Sequence, residues 1–179
     1  MKKITLILPI ILCVLISCQD KQVLNKLTTI KQKEKIEVNN IELAKKFYKH
    51  LDAVQMDSLR ELFTPDAKIF YQSGEPMSLS DIEPLIKMFY TSFPDYIHEF
   101  EDVIAEDDKV VFRITYSGTF SNPFMDINPN GEKFSYKGIQ IFQFVNNKVT
   151  NFWGVEDELA MMTQLGMELQ MKEESEPVE

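Results

Sequence analysis

GIQIFQFVNNKVTNFWGVEDE, residues 138–158, consists of two runs of β-branched and aromatic residues on either side of Asn146-Asn147. Such runs predict strands, and the asparagine pair predicts a two-residue turn, because asparagine tolerates the positive φ angles of a tight hairpin. The second run ends in three acids, Glu156, Asp157 and Glu158, shortly after the chain's only tryptophan. The segment therefore predicts a hairpin whose second strand ends in a cluster of carboxylates.

The predicted two-residue turn determines which side chains of the hairpin share a face. Counting back from the turn pairs Phe142 with Asn151. It also pairs Gln140 with Trp153. Because side chains alternate along a strand, Asp157 lies on the face of Trp153 if the strand continues. The opposite face is apolar as well, so we expect two covers, with helices on one face and a second subunit or the closing helix on the other.

Helices are predicted ahead of the long strands. Their predicted caps are Asn40, Asp57 and Ser80, each followed by apolar residues at helical spacing. The remaining predicted elements are strands at Ala67–Gln72, Tyr96–Ala105, Lys109–Thr119, Lys133–Val145 and Lys148–Val155, and a closing helix at Glu158–Leu165. Helices followed by mostly antiparallel strands predict an α+β fold, in which the helices pack on one face of a curved sheet.

The first residues have the parts of a bacterial lipoprotein signal peptide. Two lysines precede an uncharged run, Ile4–Ile16, which is shorter than the ~20 residues that span a bilayer. The run ends in Leu15-Ile16-Ser17-Cys18, which resembles a lipobox, with an ordinary secretory peptide as the alternative. We expect residues 1–17 to be removed and Cys18 to be lipidated. The protein would then be anchored to a membrane of the bacterial cell envelope, facing the periplasm or the exterior.

The rest of the chain divides by composition. Residues 18–39 are rich in Lys, Gln and Asn and predict a flexible tether behind the lipidated cysteine. Residues 172–179, KEESEPVE, predict an acidic tail. Between them, residues 40–171 have the right length for one domain with one core. The net charge is −9, so we expect no nucleic acid among the partners.

The few cysteines and histidines restrict the chemistry. Cys13 would leave with the signal peptide and Cys18 would be acylated, which excludes disulfides and thiolate nucleophiles. His50 and His98 have no second ligand at metal-binding spacing, so we expect no metal site. His98 has the strand parity of Tyr96 and could reach a pocket, although a surface or core histidine is the commoner case.

Six short segments occur in an order that resembles the SnoaL-like polyketide cyclase family, within the group that has the nuclear-transport-factor-2-like fold. They are Phe93–Asp95, Glu101–Glu106, Gly118–Phe120, Pro129–Gly131, Gly138–Phe142 and Val149–Asp157. The resemblance covers nearly the whole domain, from Asn40 to about Met167. It implies a cone in which a curved sheet and helices enclose an apolar pocket, commonly in a homodimer. This fold serves isomerases, dehydratases, cyclases and binding proteins, so it does not decide the activity.

The resemblance also implies a site. In the cyclases an aspartate at the end of the tryptophan-bearing strand is the general acid/base of an intramolecular aldol closure, and a polar residue on the neighbouring strand assists it. The matching residues here are Asp157 and Gln140, although His or Asp is frequent at the assisting position and glutamine cannot exchange a proton. This chemistry requires no cofactor. The candidate ligand contacts are Trp153, Asn151, Phe142, Phe89 and Tyr71.

Asp157 has a second interpretation. It stands directly before the closing helix, where an aspartate cap contributes about 1 kcal/mol and, turned towards backbone amides, makes a poor base. Glu156 and Glu158 are expected to be solvated beside the positive end of the helix dipole. Two functions therefore remain open. One is the binding of a small hydrophobic molecule, with cofactor-free cyclase or isomerase activity; the other is a non-catalytic envelope module for binding or protein interaction.

Overall fold

The computed structural model describes residues 7–72 and 74–168, with the side chains of residues 21–72 and 74–168. Its helices are α1 (Ile7–Asp52), α2 (Met56–Leu62), α3 (Leu79–Ser92) and α4 (Glu158–Gln164). Its strands are β1 (Phe63–Tyr71), β2 (Ile97–Glu106), β3 (Lys109–Thr119), β4 (Lys133–Val145) and β5 (Lys148–Glu156). They form one sheet in the order β1-β5-β4-β3-β2, in which β1 runs parallel to β5 and the other neighbours are antiparallel. The predicted α+β cone is confirmed, with the helices packed on an open, curved sheet.

Two hairpins contain four of the five strands. Asn146 and Asn147 connect β4 to β5 with φ angles of 51° and 63°, the left-handed values that a type I′ turn requires and that asparagine tolerates. The acidic turn between β2 and β3 pairs Glu106 with Lys109. Both predicted hairpins are therefore confirmed.

The first helix is longer than the sequence predicts. α1 is continuous from Ile7, so Asn40 is not its cap. Asn40 is buried in the middle of the helix, where its side-chain amide donates to the carbonyl of Asp107 at 3.3 Å. The helix continues because no glycine or proline lies between Pro9 and Pro65 to end it.

The segment predicted to be a flexible tether is thus helical. Its residues 21–36 are exposed, and their attachment to a lipid through Cys18 stays a prediction. Within the described residues, no helix combines the length and the apolar character that crossing a membrane requires. Residues 1–6 and 169–179, which hold the start of the predicted signal peptide and the acidic tail, lie outside the described residues.

Two other caps differ from their predicted positions. The N-cap of α3 is Ser78 rather than Ser80, because Ser78 and Asp81 form a reciprocal capping box in which each side chain accepts from the other's backbone amide. Helix α2 begins after Gln55 without a side-chain cap, rather than at Asp57. These shifts leave the helices where the apolar spacing places them.

A β-bulge changes the register of the second hairpin. Phe144 pairs with Val149 as predicted, but the register then shifts, so that Gln143 pairs with Asn151 and Thr150 is the extra residue. A shift of one residue moves every later side chain of β5 to the other face of the sheet. The faces predicted for β5 beyond the bulge are therefore wrong.

The two faces of the sheet have different neighbours. The concave face packs on α1, where the ring of Phe47 contacts the fully buried Phe142, with ring centroids 5.1 Å apart. The outer face carries an apolar row of side chains paired across all five strands. In strand order from β2, this outer apolar row is Ile104, Val111, Ile141, Trp153 and Phe70.

Candidate functional site

A cavity of about 300 Å³ lies between the concave face of the sheet and the helices. That volume is at the low end of the roughly 300–1,000 Å³ of ligand pockets. Apolar side chains dominate its lining and include five methionines, Met77, Met88, Met125, Met161 and Met162. Because methionine is flexible and polarisable, this wall can adapt to apolar ligands of different shapes. The polar groups of the lining are Tyr71, Tyr90, Tyr96, His98, Tyr136, Gln140, Glu156 and Glu158.

Glu156 is the last residue of β5 and points into the cavity. Its cross-strand partner is Gly138, which has no side chain to occupy the same space. A Cβ atom at Gly138 would lie 2.9 Å from Cγ of Glu156 and 2.8 Å from the carbonyl oxygen of Val155. Glycine at this position is therefore what lets the glutamate side chain turn inward.

Three polar neighbours surround the carboxyl group of Glu156. The Nε2 amide of Gln140 donates to Oε1 at 2.9 Å, and the phenols of Tyr71 and Tyr136 lie beside the carboxyl and act to lower its pKa. Burial raises the pKa of Glu156 above its ordinary value, and these three neighbours, like an imidazolium at His98, oppose the rise without cancelling it. The cavity thus contains a carboxyl group whose pKa is moved towards neutral pH.

A second layer of hydroxyls orients these donors. The phenol of Tyr48 donates to Oε1 of Gln140, so the amide nitrogen of Gln140 is directed at Glu156. The hydroxyl groups of Tyr96 and Tyr136 are hydrogen-bonded at 2.5 Å, and Tyr136 lies beside Glu156. Burial raises the pKa of all these phenols, so they remain protonated donors. Gln140 is therefore a positioning residue, with its oxygen and one N–H already used.

A second polar cluster lines the same cavity. Nδ1 of His98 contacts Oδ1 of Asp52 at 2.7 Å, and the phenol of Tyr90 donates to the same oxygen at 2.7 Å. The side chain of His98 is only 3% exposed. In the described part of the chain, no three His, Cys, Asp or Glu side chains come together in a way that would hold a metal ion.

The predicted site residues separate into two groups. Gln140, Tyr71 and Phe89 line the cavity, and their contact with a ligand stays a prediction. Phe142 lies in the core rather than in the cavity wall. The side chain of Asn151 donates to that of Gln143 at 2.9 Å on the outer face.

Trp153 and Asp157 are not where the predicted register places them. Trp153 stacks on Phe70 with ring centroids 5.6 Å apart and belongs to the outer apolar row, since the bulge turns it away from Gln140. Asp157 is the N-cap of α4, and its Oδ1 accepts from the amide of Ala160 at 3.0 Å. The prediction that these side chains share one hollow with Gln140 is wrong, and so is the expectation that Glu156 is solvated.

The sequence does contain a signal for Glu156. If Asp157 is assigned to the helix cap, Glu156 becomes the last side chain of the strand, with the parity of Gly154 and Phe152. Tyr136 has the parity of Gln140 and is detectable in the same way. Tyr48 has the spacing of the inward face of a helix, but its contact with Gln140, 92 residues away, cannot be read from local patterns.

Comparison with known families agrees with this architecture. The sequence profile of SnoaL-like polyketide cyclases matches residues 42–165. The chain belongs to the SnoaL-like polyketide cyclase family. None of the curated proteins compared with the chain matches it.

Solved structures similar to this SnoaL-like protein show its fold. AclR of Streptomyces galilaeus, a proposed hydroxylase, is 24% identical with a TM-score of 0.67, over 73% of this chain and 97% of its own. A proposed SnoaL-like polyketide cyclase from Jannaschia sp. CCS1 is 22% identical with a TM-score of 0.67, over 75% and 96%. IdmH of Streptomyces antibioticus, a proposed polyketide cyclase, is 23% identical with a TM-score of 0.65, over 72% and 99%.

Proposed function

We propose that this protein binds a small, mostly apolar carbonyl compound in the cavity and catalyses a cofactor-free proton transfer on it, as in isomerisation or ring closure. The observation that carries the proposal is the carboxyl group of Glu156, which lies among apolar walls, accepts a hydrogen bond from Gln140 and has the phenols of Tyr71 and Tyr136 beside it. Family membership and the polyketide cyclases among the similar structures agree with this class of reaction.

The chemistry follows from the surroundings of Glu156. A general acid or base is most effective when its pKa lies near the working pH, and burial moves that of Glu156 in this direction. The carboxyl can donate a proton to a ligand's carbonyl oxygen or accept one from the adjacent carbon. Meanwhile the N–H of Gln140 and the nearby phenols of Tyr71 and Tyr136 stabilise the carboxylate that remains.

The wall of the cavity favours a ligand with an apolar body and one polar end. The methionine side chains would contact the body, and the polar groups around Glu156 and His98 would contact the oxygen-bearing end. Burying apolar ligand surface contributes roughly 25 cal/mol per Å². Affinity would thus come from the apolar wall and orientation from the polar end.

A non-catalytic binding protein is the second candidate. The observation that favours it is that Gln140 already donates to Glu156 and two phenols lie beside it, a pattern that a purely structural carboxyl also shows. On this alternative, the bound molecule would leave unchanged and Glu156 would only orient it.

Two measurements test the proposal. Native mass spectrometry of protein purified from its own cells should show a small molecule that dissociates on unfolding. With 2-tetralone, a bicyclic ketone, as the probe, ¹H NMR in D₂O should show faster exchange of the protons beside the carbonyl than buffer alone gives. Binding of 2-tetralone without faster exchange supports the binding protein instead, and absence of both binding and exchange contradicts the proposal.

We also propose lipid anchoring in the bacterial cell envelope. The supporting features are the basic and apolar start of the chain and Cys18 at the end of a lipobox-like segment. Mass spectrometry of the mature N-terminus should find Cys18 as the first residue with acyl chains attached. An unmodified N-terminus elsewhere in the chain would contradict the anchor.

We propose a homodimer that covers the outer apolar row. This row crosses all five strands of the described sheet, with Ile104 exposed and the other four side chains half-buried, and a contiguous apolar surface that solvent reaches is typical of an interface. Two basic residues of the sheet pair within the chain, since Arg113 contacts Asp102 at 2.6 Å and Lys137 contacts Glu101 at 2.9 Å. A second copy presents the same uncharged row, and two-fold dimers are the commonest assemblies that pair identical surfaces.

A further inference from the structure

We infer that His98 and Asp52 form the second proton-transfer group of the cavity, with His98 as the base that removes a proton from the carbon beside a ligand's carbonyl while Glu156 protonates the oxygen. This inference rests on the proposed function and adds the reaction type, a two-group enolisation. It assigns Asp52 the role of positioning His98, because Asp52 contacts the histidine but does not line the cavity.

The hydrogen bonds around Asp52 determine which nitrogen of His98 is available. Nδ1 of His98 lies 2.7 Å from Oδ1 of Asp52, so Nδ1 carries the proton and donates it to the carboxylate. In the neutral form of the imidazole, Nε2 is then the unprotonated nitrogen. Tyr90 donates to the same Oδ1 atom at 2.7 Å and so helps to hold the carboxylate in place.

Packing holds the imidazole of His98 in one orientation. Its ring centroid lies 4.9 Å from that of Tyr48, 5.1 Å from that of Tyr96 and 5.2 Å from that of Tyr116. The side chain is almost fully buried, yet it lines the cavity. A ring clamped by three aromatic neighbours, with one nitrogen engaged, can present only its remaining nitrogen to a ligand.

His98 and Glu156 are close enough to act on one molecule. They line the same cavity of about 300 Å³, and His98 is near enough for an imidazolium there to act on the pKa of Glu156. The two side chains come from β2 and β5, which lie apart in the sheet order. They therefore approach the cavity from different strands, as attack on two neighbouring ligand atoms requires.

The proposed step balances without a cofactor. Nε2 of His98 takes the proton from carbon, the electron pair of that C–H bond forms the C=C bond of an enol, and the carbonyl oxygen takes the proton of Glu156. An imidazolium and a carboxylate remain. Exchange with solvent results when a solvent deuteron replaces the imidazolium proton before both groups return their protons to the same atoms. Returning the carbon proton at a different carbon gives isomerisation. Attack of the enol carbon on a second carbonyl of the same molecule closes a ring, while the enol O–H proton returns to Glu156 and the imidazolium proton passes to the new hydroxyl oxygen.

Two substitutions of His98 test this inference with 2-tetralone as the probe. His98→Asn keeps an amide N–H near the position of Nδ1 for Asp52, and His98→Gln keeps a polar atom near the position of Nε2. Neither side chain can take a proton. Because a positioned base contributes about 10²- to 10⁴-fold, we expect both variants to slow exchange at least about 100-fold while calorimetry shows nearly unchanged affinity for 2-tetralone. His50→Gln is the matched control and should exchange at the wild-type rate, since His50 contacts Gln55 outside the cavity.

Asp52→Asn tests the positioning role. Loss of the carboxylate allows the other tautomer of His98, so we expect exchange to slow at least about tenfold with the affinity retained. The inference is overturned if His98→Asn exchanges at the wild-type rate, or if both His98 variants lose 2-tetralone binding along with exchange. If His98→Asn exchanges at the wild-type rate but Glu156→Gln does not catalyse exchange, only this inference fails and the proposed function is retained. If the wild-type protein gives no exchange above buffer, the proposed function and this inference both fail.

Discussion

The neighbouring acids Glu156 and Asp157 have different surroundings, so replacing each should change a different property of the protein. Glu156→Gln preserves the size of the side chain and an oxygen that can accept from Gln140, but it removes the acidic proton. General acid–base catalysis contributes about 10²- to 10⁴-fold, so we expect exchange of 2-tetralone to slow by at least about 100-fold. The fold should be retained, because the amide fits the same cluster of donors.

Asp157→Ala should have the opposite effect. The substitution removes the oxygen that accepts from the amide of Ala160 and leaves the first turn of α4 uncapped. Loss of such a cap costs about 1 kcal/mol of the free energy of unfolding. In a domain of this size that corresponds to a fall of about 3 °C in the melting temperature. Exchange of 2-tetralone should remain at the wild-type rate.

Urea unfolding followed by circular dichroism and ¹H NMR of the probe measure the two properties on the same samples. Asp157→Asn is the matched control for charge, since its amide oxygen can still accept from Ala160 and should preserve most of the stability. The roles assigned to the two acids are refuted if Asp157→Ala abolishes exchange while Glu156→Gln preserves it. That result would mean that the strand register places the other carboxyl group in the cavity.

Three further predictions follow from the same geometry. Gly138→Ala should displace Glu156 and slow exchange, because its Cβ would lie 2.9 Å from Cγ of Glu156. The control is Gly131→Ala, whose Cβ would have no atom within 4 Å but whose φ of 73° strains any residue other than glycine. It should lower stability without slowing exchange. The pKa of Glu156 is raised on folding, so folded protein binds the proton more tightly than unfolded protein. Its contribution to stability is therefore full below pH 4.5 and is lost as the pH rises through the raised folded pKa. Urea titrations should show the free energy of unfolding of Glu156→Gln rising relative to that of wild type across this pH range. The expected rise is about 1.4 kcal/mol for each pH unit that separates the folded pKa from the unfolded one. Val155→Lys places a charge on the outer face, at a residue 59% exposed, and should give monomers in analytical ultracentrifugation without slowing exchange; an unchanged dimer would contradict the interface.

Much of the fold could be predicted because its signals are local. Asparagine pairs, apolar spacing and a closing glycine each act over a few residues, and they correctly indicated both hairpins and the α+β class. The start of α1 could not be predicted as well. A polar segment without glycine or proline is compatible with both a tether and a helix, and packing of its later part on the sheet extends the helix.

The carboxylate predicted for the site, Asp157, is one residue beyond Glu156, which lines the cavity, and this difference has a physical reason. Counting pairs from Asn146-Asn147 assumes an uninterrupted ladder, and the bulge at Thr150 breaks it. A polar and an apolar face would have revealed the shift, but this sheet is apolar on both sides, with Phe152 inward and Trp153 outward. Alternation alone therefore could not fix the register.

The polar network behind the cavity depends on contacts between distant parts of the chain. Asp52 meets His98 across 46 residues and Tyr48 meets Gln140 across 92. A single sequence shows each of these residues as an ordinary member of a helix or a strand. Only the packing of α1 across the sheet brings them to one cavity.

The proposed function depends above all on the protonation state of the Glu156 carboxyl, which NMR can follow. The protein would be labelled with ¹³C at the glutamate carboxyl carbons and titrated, and the Glu156 resonance would be assigned by its absence from Glu156→Gln. We predict that this resonance titrates above pH 4.5 and shifts when 2-tetralone is added, because the carboxyl is buried beside the ligand. A Glu156 resonance that titrates at the ordinary value and does not respond to 2-tetralone would contradict a buried carboxyl that faces the ligand.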